Sequence, residues 1–440
     1  MAFRFSRTAC VSCLIALAQV LLPAEAATRS KKARSTPKSG LRATAPAAAA
    51  GLATVAAGAA AAGTARSAAL GPGQAEARLI EVYQALARGH SRQALEKAER
   101  LVREVPDFQL AQLVYGDILA TRQRPVRALG DVGLPLNPAA AATLAELRAE
   151  SQRRIDALLE RPPAGTVPAE IIALAPRVRH AIAVDTSRSR LYLFENRPGG
   201  LALAADYYIS VGRQGVDKSV EGDLRTPLGV YHVTSNLDPK SLSAFYGAGA
   251  LPINYPNVLD TQRGKTGSGI WLHGTPPGQF SRAPQATDGC VVLTNPDLLA
   301  LIRTVEVGTT PVVISSRLRW VTPQAARVEA KSFEVALESW RQVKSEGQLD
   351  KLLAFYSADF NSLGRKLADW TPQLRGELQK ARGRALELKD VSMLRWSDTS
   401  DTMVVTFGEV PVGSRTGTVK RQYWQRQGQS WKIFFEATIA

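Results

Sequence analysis

Cysteine is almost missing from this sequence: 440 residues hold three. Two of them, Cys10 and Cys13, fall in the apolar run CVSCLIALAQVLL, behind Arg4 and Arg7 and ahead of the small-residue stretch Pro23-Ala-Glu-Ala26. That layout predicts a secretory signal peptide over residues 1–26, cleaved after Ala26. The run falls short of the roughly 20 residues needed to span a bilayer, and no later segment has transmembrane character. The expectation is therefore an exported, periplasmic protein, peripheral to a membrane at most. Loss of the signal leaves Cys290 as the only thiol, which excludes an internal disulfide and a cysteine-rich zinc site. A single thiol in an exported chain points to an intermolecular bridge or to a reactive role. Histidine is scarce as well, with four in all.

Acidic residues are the minority charge: 39 Asp and Glu against 55 Lys and Arg, a formal net charge of +16. A basic balance suits a polyanionic partner. Export argues against nucleic acid and for an anionic wall polymer or membrane surface; general solubility is the plain alternative.

A chain this long divides into several units. Residues 27–75 are low in complexity, basic and then Ala/Gly-rich, without a pattern to build a core, and read as a linker. Residues 76–165 turn helical. Leu79, Val82, Tyr83 and Leu86 share one face, Gly89 breaks the period, and Ala94, Leu95, Ala98, Leu101 and Val102 mark a second helix before Pro106. This resembles a tetratricopeptide unit and the first helix of another, a surface for a protein partner; a plain helical bundle fits equally. Residues 180–315 are β-rich, opening on the hairpin AIAVDTSRSRLYLFEN. Residues 327–440 give helices and then four strands, an α+β arrangement. Tyr423, Trp424, Trp431 and Phe434 near its end fit a sheet's packed core better than a pocket for glycan or stem peptide.

The chemistry concentrates in WLHGTPPGQFSRAPQATDGCVVL, residues 271–293. His273 and Cys290 could form a nucleophilic couple, the imidazole taking the thiol proton. Gly289 allows a tight turn that aims nearby amides at a developing oxyanion. Spacing alone leaves a buried cysteine and an unrelated histidine as an equal reading.

The stretch resembles the signature of the L,D-transpeptidase (YkuD) family. It has His273-Gly274, then Thr287-Asp288-Gly289-Cys290-Val291, and Asn295 five places after the cysteine. Asp185, Gly212 and Thr226-Pro-Leu-Gly-Val-Tyr231 precede it in the family's order. The resemblance implies a mainly-β catalytic domain with Cys290 as nucleophile, His273 as base and the Gly274 carbonyl orienting the ring. Amides of Gly289, Cys290 and Asp288 would form the oxyanion hole, and no metal or organic cofactor is implied. The implied reaction is acyl transfer from a peptidoglycan stem tetrapeptide, releasing D-alanine, to an amine or to water. Thr287 and Asn295 are carried over as substrate contacts. Asp288 stands where the family usually has histidine, and Val292 where many members have arginine. Arg282 could supply that charge, or be a solvated loop arginine. The last unit resembles an NTF2-like domain, and helical part, YkuD-type domain and NTF2-like domain is the order found in cell-shape-determining L,D-carboxypeptidases. A non-catalytic wall-binding scaffold is the reading from another class.

Overall fold

The computed structural model describes residues 70–133, 135–381, 384–397 and 401–439. The expected signal peptide, 1–26, and the linker as far as residue 69 lie outside the described residues.

Four helices open the chain: α1 (Gln74–Ala87), α2 (Ser91–Glu104), α3 (Gln109–Ala120) and α4 (Pro138–Leu159). Gly89 takes φ +74° between the first two, a left-handed turn that glycine adopts without strain. Asn137 caps α4, accepting from Ala140 N at 2.9 Å, with Pro138 at the first helical position. Leu79, Val82, Ala94, Ala98, Leu101, Phe108 and Val114 bury the seam between α1, α2 and α3.

Two short strands, β1 (Val167–Pro168) and β2 (Ile171–Ala173), lead into the central β region. It contains β3 (His180–Asp185), β4 (Arg190–Arg197), β5 (Gly200–Tyr208), β6 (Val211–Gly212), β7 (Gly229–His232), β8 (Ala250–Pro252), β9 (Trp271–His273), β10 (Gln285–Thr287), β11 (Val291–Val292) and β12 (Pro311–Ser315). Helices α5 (Val258–Gln262) and α6 (Asn295–Thr304) interrupt the strands. The main sheet has the order β5-β4-β3-β12-β7, with β3 and β12 parallel and the rest antiparallel. A second, three-stranded sheet, β11-β9-β8, sits across the core from it. Ile182, Val184, Leu191, Tyr231, Leu272, Val291 and Ile314 fill the space between.

After β13 (Trp320–Val321), which pairs back to β1, come α7 (Pro323–Ser345), α8 (Leu349–Leu353), the short pair β14 (Asn361–Ser362) and β15 (Arg365–Lys366), and α9 (Leu367–Ala381). Strands β16 (Leu386–Ser397), β17 (Asp401–Pro411), β18 (Thr418–Gln427) and β19 (Ser430–Thr438) close the chain as an antiparallel meander. A fifth strand joins this sheet from far upstream: β2 pairs with β16. Strand alternation divides the sheet's two faces. Met403, Val405, Trp424 and Ile433 meet Phe333, Trp340, Leu352 and Trp370 of the helical layer. Val404, Tyr423, Phe434 and Phe435 meet Ala181, Ala183, Tyr192 and Phe194 of the central sheet. The two β regions therefore pack sheet on sheet, and the four aromatics named above are core on one face or the other.

Among the described residues, no helix is long and apolar enough to cross a membrane.

Candidate active site

Strands β9 and β11 run parallel, with Leu272 beside Val291 and His273 beside Val292. Continuing that register by one residue sets Cys290 level with Trp271. Leu272 and Val291 are fully buried in the core, so the alternate residues Trp271, His273 and Cys290 share the opposite face. Thiol and imidazole thus project from one face, one strand spacing apart (about 4.8 Å) and two residues along. The two residues stand 17 positions apart in sequence and on neighbouring strands in space.

The imidazole is held on three sides. Its Nδ1 lies 2.8 Å from the Gly274 carbonyl oxygen. A carbonyl only accepts, so Nδ1 carries the hydrogen and Nε2 is the basic nitrogen. Tyr246 packs edge-on at 5.0 Å between centroids, and Phe245 lies at 5.9 Å. Burial pushes the His273 pKa down to about 4; the charge of Arg282 pushes the same way, and the bond to Gly274 opposes both.

Cys290 is half-buried, its Sγ 3.5 Å from the Gly269 carbonyl. Burial raises its pKa, against the Trp271 backbone N–H and the charges of Arg282 and Lys218. With the histidine shifted down and the cysteine up, the resting couple is neutral at pH 7. A nucleophilic attack by Cys290 would then require the thiol proton to pass to a base.

The turn before Cys290 is tightly specified. Gly289 has φ +124°, and a Cβ there would stand 2.6 Å from the Arg225 carbonyl oxygen, so only glycine fits. Thr226 donates its hydroxyl to the Gly289 carbonyl and accepts from Gly212 N, each at 2.9 Å. That explains why Gly212 and Thr226, distant in sequence, accompany the cysteine motif. Asp185 does a structural job elsewhere, its carboxylate accepting from Arg188 N and Leu318 N to tie the β3–β4 turn to the chain beyond β12.

Three of the expected site residues are engaged by hydrogen bonds within the protein. Thr287, expected at the substrate, is buried and turned inward: its hydroxyl donates to the Cys290 carbonyl at 2.7 Å and accepts from Gly289 N at 3.1 Å. The Gly289 amide, expected in the oxyanion hole, is therefore engaged by that hydroxyl. Asn295, also expected at the substrate, braces two loops: its Oδ1 accepts from Ala248 N at 2.8 Å and its Nδ2 donates to the Thr275 carbonyl at 2.9 Å. Gly247 and Gly274 give it room, since a Cβ on either would stand 2.3 and 2.1 Å from Asn295 Oδ1. Asp288 is exposed and ion-pairs with Arg213.

Arg282 is not a solvated loop residue. It is 9% exposed and stacks over Phe245 at 4.6 Å from the ring centroid. Its charge reaches both His273 and Cys290. Among the described residues no carboxylate or hydrogen-bond acceptor engages its guanidinium. Sequence reasoning missed the aromatic wall of Phe245 and Tyr246 and the buried Lys218, which Asp223 holds at 2.8 Å. The only sequence trace of the wall was the glycine-spaced run AFYGAGA, residues 244–250.

Residues 179–314 match the YkuD family, the L,D-transpeptidase catalytic domain. Residues 332–437 match the Cds6 C-terminal NTF2-like domain. In three dimensions the chain is similar to Bd1075 of Bdellovibrio bacteriovorus, with a TM-score of 0.54 and 26% identity over 62% of this chain and 98% of that one. It also shares its fold with Pgp2, the helical cell shape determining protein of Campylobacter jejuni, at a TM-score of 0.50 and 22% identity over 61% of this chain and 95% of that one. None of the curated proteins matches the sequence.

Proposed function

We propose that this chain, which carries an L,D-transpeptidase (YkuD) catalytic domain and an NTF2-like domain, is a periplasmic cysteine acyltransferase acting on peptidoglycan stem tetrapeptides. The supporting observation is one constellation: a thiol and a tautomer-fixed imidazole on the same strand face, near the guanidinium of largely buried Arg282, which has no anionic partner among the described residues. A cation partly shielded from water and left unpaired carries a desolvation cost that a ligand carboxylate would offset. The free carboxylate of the terminal D-alanine is such a ligand, and it ends one residue beyond the bond to be broken.

In the proposed reaction, Cys290 Sγ attacks the carbonyl carbon of the third stem residue while its proton passes to His273 Nε2. Amides of Asp288 and Cys290 hold the developing oxyanion. The bond to the D-alanine nitrogen then breaks, and the imidazolium returns the proton to that leaving amine. An acceptor amine, deprotonated by the same imidazole, attacks the thioester and restores the thiol. If water takes that place, the enzyme is an L,D-carboxypeptidase and the product a tripeptide.

Incubation with tetrapeptide muropeptides, followed by mass spectrometry, tests the proposal. Cross-linked dimers are expected, and tripeptides alone would reassign the acceptor to water. Absence of turnover, with Cys290→Ala matching wild type, would leave a wall-binding scaffold instead.

A further inference from the structure

Arg282 lies on a loop, residues 275–284, that leaves the site after Gly274 and returns at β10. The middle of the loop rests on the N-terminal helices. Phe280 stacks on Phe108 at 4.5 Å between centroids, and its amide donates to the Asp107 carbonyl at 3.3 Å. Phe108 is fully buried at the start of α3, while Phe280 adds its ring to the helical core from outside. The next residue, Ser281, donates its hydroxyl to Glu150 Oε1 of α4 at 2.7 Å. Glu150 is itself locked, accepting from Arg154 Nε at 3.0 Å and Nη2 at 2.8 Å.

Arg154 completes the circuit. It is 1% exposed, and its guanidinium lies 3.9 Å above the Tyr208 ring. The Tyr208 hydroxyl donates to the Arg282 carbonyl at 2.8 Å. Arg154 and Arg190 of β4 share Glu76 of α1, at 2.7 and 2.8 Å, which pins the helices to the catalytic domain. Every residue from Phe280 to Arg282 is thus held by a group on a helix or by one that packs against a helix.

We infer that the helical region is a working part of the active site, holding the 275–284 loop so that the Arg282 guanidinium stays over Phe245, the ring that flanks His273. Phe280 and Ser281 are the positioning residues. Glu150 fixes the second of them and couples it to the Arg154 cluster. A partner that prises α3 and α4 from this loop would weaken the site without touching Cys290 or His273. The inference rests on the proposed role of Arg282 only for its consequence; the positioning is testable without any wall substrate.

The probe is the alkylation of Cys290 in the full chain by iodoacetate and iodoacetamide, which have similar reactivity and differ in charge. A guanidinium beside the thiol favours the anionic reagent, so the ratio of the two rates reads the position of Arg282. Arg282→Ala should lower the ratio roughly three- to tenfold. Phe280→Ala should lower it to the same level, and Phe280→Tyr, which keeps the ring, should restore it. Leu374→Ala, a cavity in the NTF2-like core, should depress Tm and leave the ratio at the wild-type value. A folded Phe280→Ala protein with the wild-type ratio would overturn the inference, as would an Arg282→Ala protein whose ratio does not move. If Phe280→Ala does not fold, Ser281→Ala decides: a lowered ratio supports the inference and an unchanged one overturns it. Absence of muropeptide turnover by the wild type, with the ratios falling in the variants as stated, would count against the proposed reaction alone.

Discussion

Two of the sites that bury positive charge among the described residues are built in opposite ways. Inside the C-terminal domain, Lys344 and Lys420 are each 2% exposed. Lys344 donates to Glu377 and Glu409, both at 2.8 Å, and Lys420 to Glu377 at 2.6 Å and Glu436 at 3.0 Å. Tyr356 and Gln422 donate to the remaining Glu436 oxygen at 2.8 Å. Burial alone would push the Lys420 pKa down, yet its three carboxylate neighbours carry it well above the ordinary value. In the catalytic cleft, Arg282 has an aromatic ring beneath it and no carboxylate. Paired buried charge holds the first site in one arrangement, whereas the unpaired cation equips the second to take an anion. The interior of the NTF2-like domain is filled by its own side chains, and the proposed function would have a substrate carboxylate complete the cleft.

The largest effect expected is at Cys290, the proposed nucleophile. Cys290→Ala should cost several orders of magnitude in turnover and abolish carbapenem acylation, read as a mass increase on the intact protein. Next comes the paired site: Lys420→Met strands buried Glu436 and Glu409, and should lower unfolding free energy by about 3–5 kcal/mol in a denaturant titration. Acid should act through pairing too. Burial would raise the Glu76 and Glu377 pKa values, but neighbouring arginines hold the first, and lysines the second, at about 2 instead of 4.5. A carboxylate with a depressed folded pKa stabilises fully above its unfolded value and loses that contribution as pH falls toward the folded one. Each should forfeit on the order of 3 kcal/mol between pH 4.5 and 2, seen as a falling Tm.

At the unpaired site the expected signature is reversed. Arg282→Ala should leave Tm within a few degrees of wild type, yet lower kcat/KM for a free-acid tetrapeptide by about 10–100-fold, the worth of a charge-assisted hydrogen bond. It should barely change the rate on the C-terminal amide, so equal losses on both substrates would break the comparison. Exposed pairs set the floor. Arg92→Ala, at an ion pair whose side chains are 92% and 58% exposed, should shift stability by less than about 0.5 kcal/mol.

Different parts of this architecture were legible to different degrees. Helices α1 to α3 announced themselves through apolar spacing, with Gly89 and Pro106 at their breaks, because local periodicity and backbone freedom are properties of neighbouring residues. The β3–β4 hairpin was readable for the same reason. Strand β2 was not: three residues carry no period, and their partner β16 lies more than 200 positions downstream. Thr287 and Asn295 sit in motif positions that suggested substrate contact, and only the hydrogen-bond partners reveal that both face inward. Lys344, Lys420 and Arg154 look in sequence like any solvated charge on a helix or strand.

What the sequence by itself determined was the chemistry that is available: the thiol of Cys290, a histidine-glycine ahead of it, and a glycine that lets the turn close. These are local requirements, written in residue identity and short spacing. Which charges are paired and which are left open was decided only by tertiary structure, since a carboxylate's partner is chosen by packing and not by position in the chain. Burial beside Glu377, Glu409 and Glu436 makes Lys420 part of the scaffold, while burial on Phe245 without a carboxylate leaves Arg282 ready for a ligand.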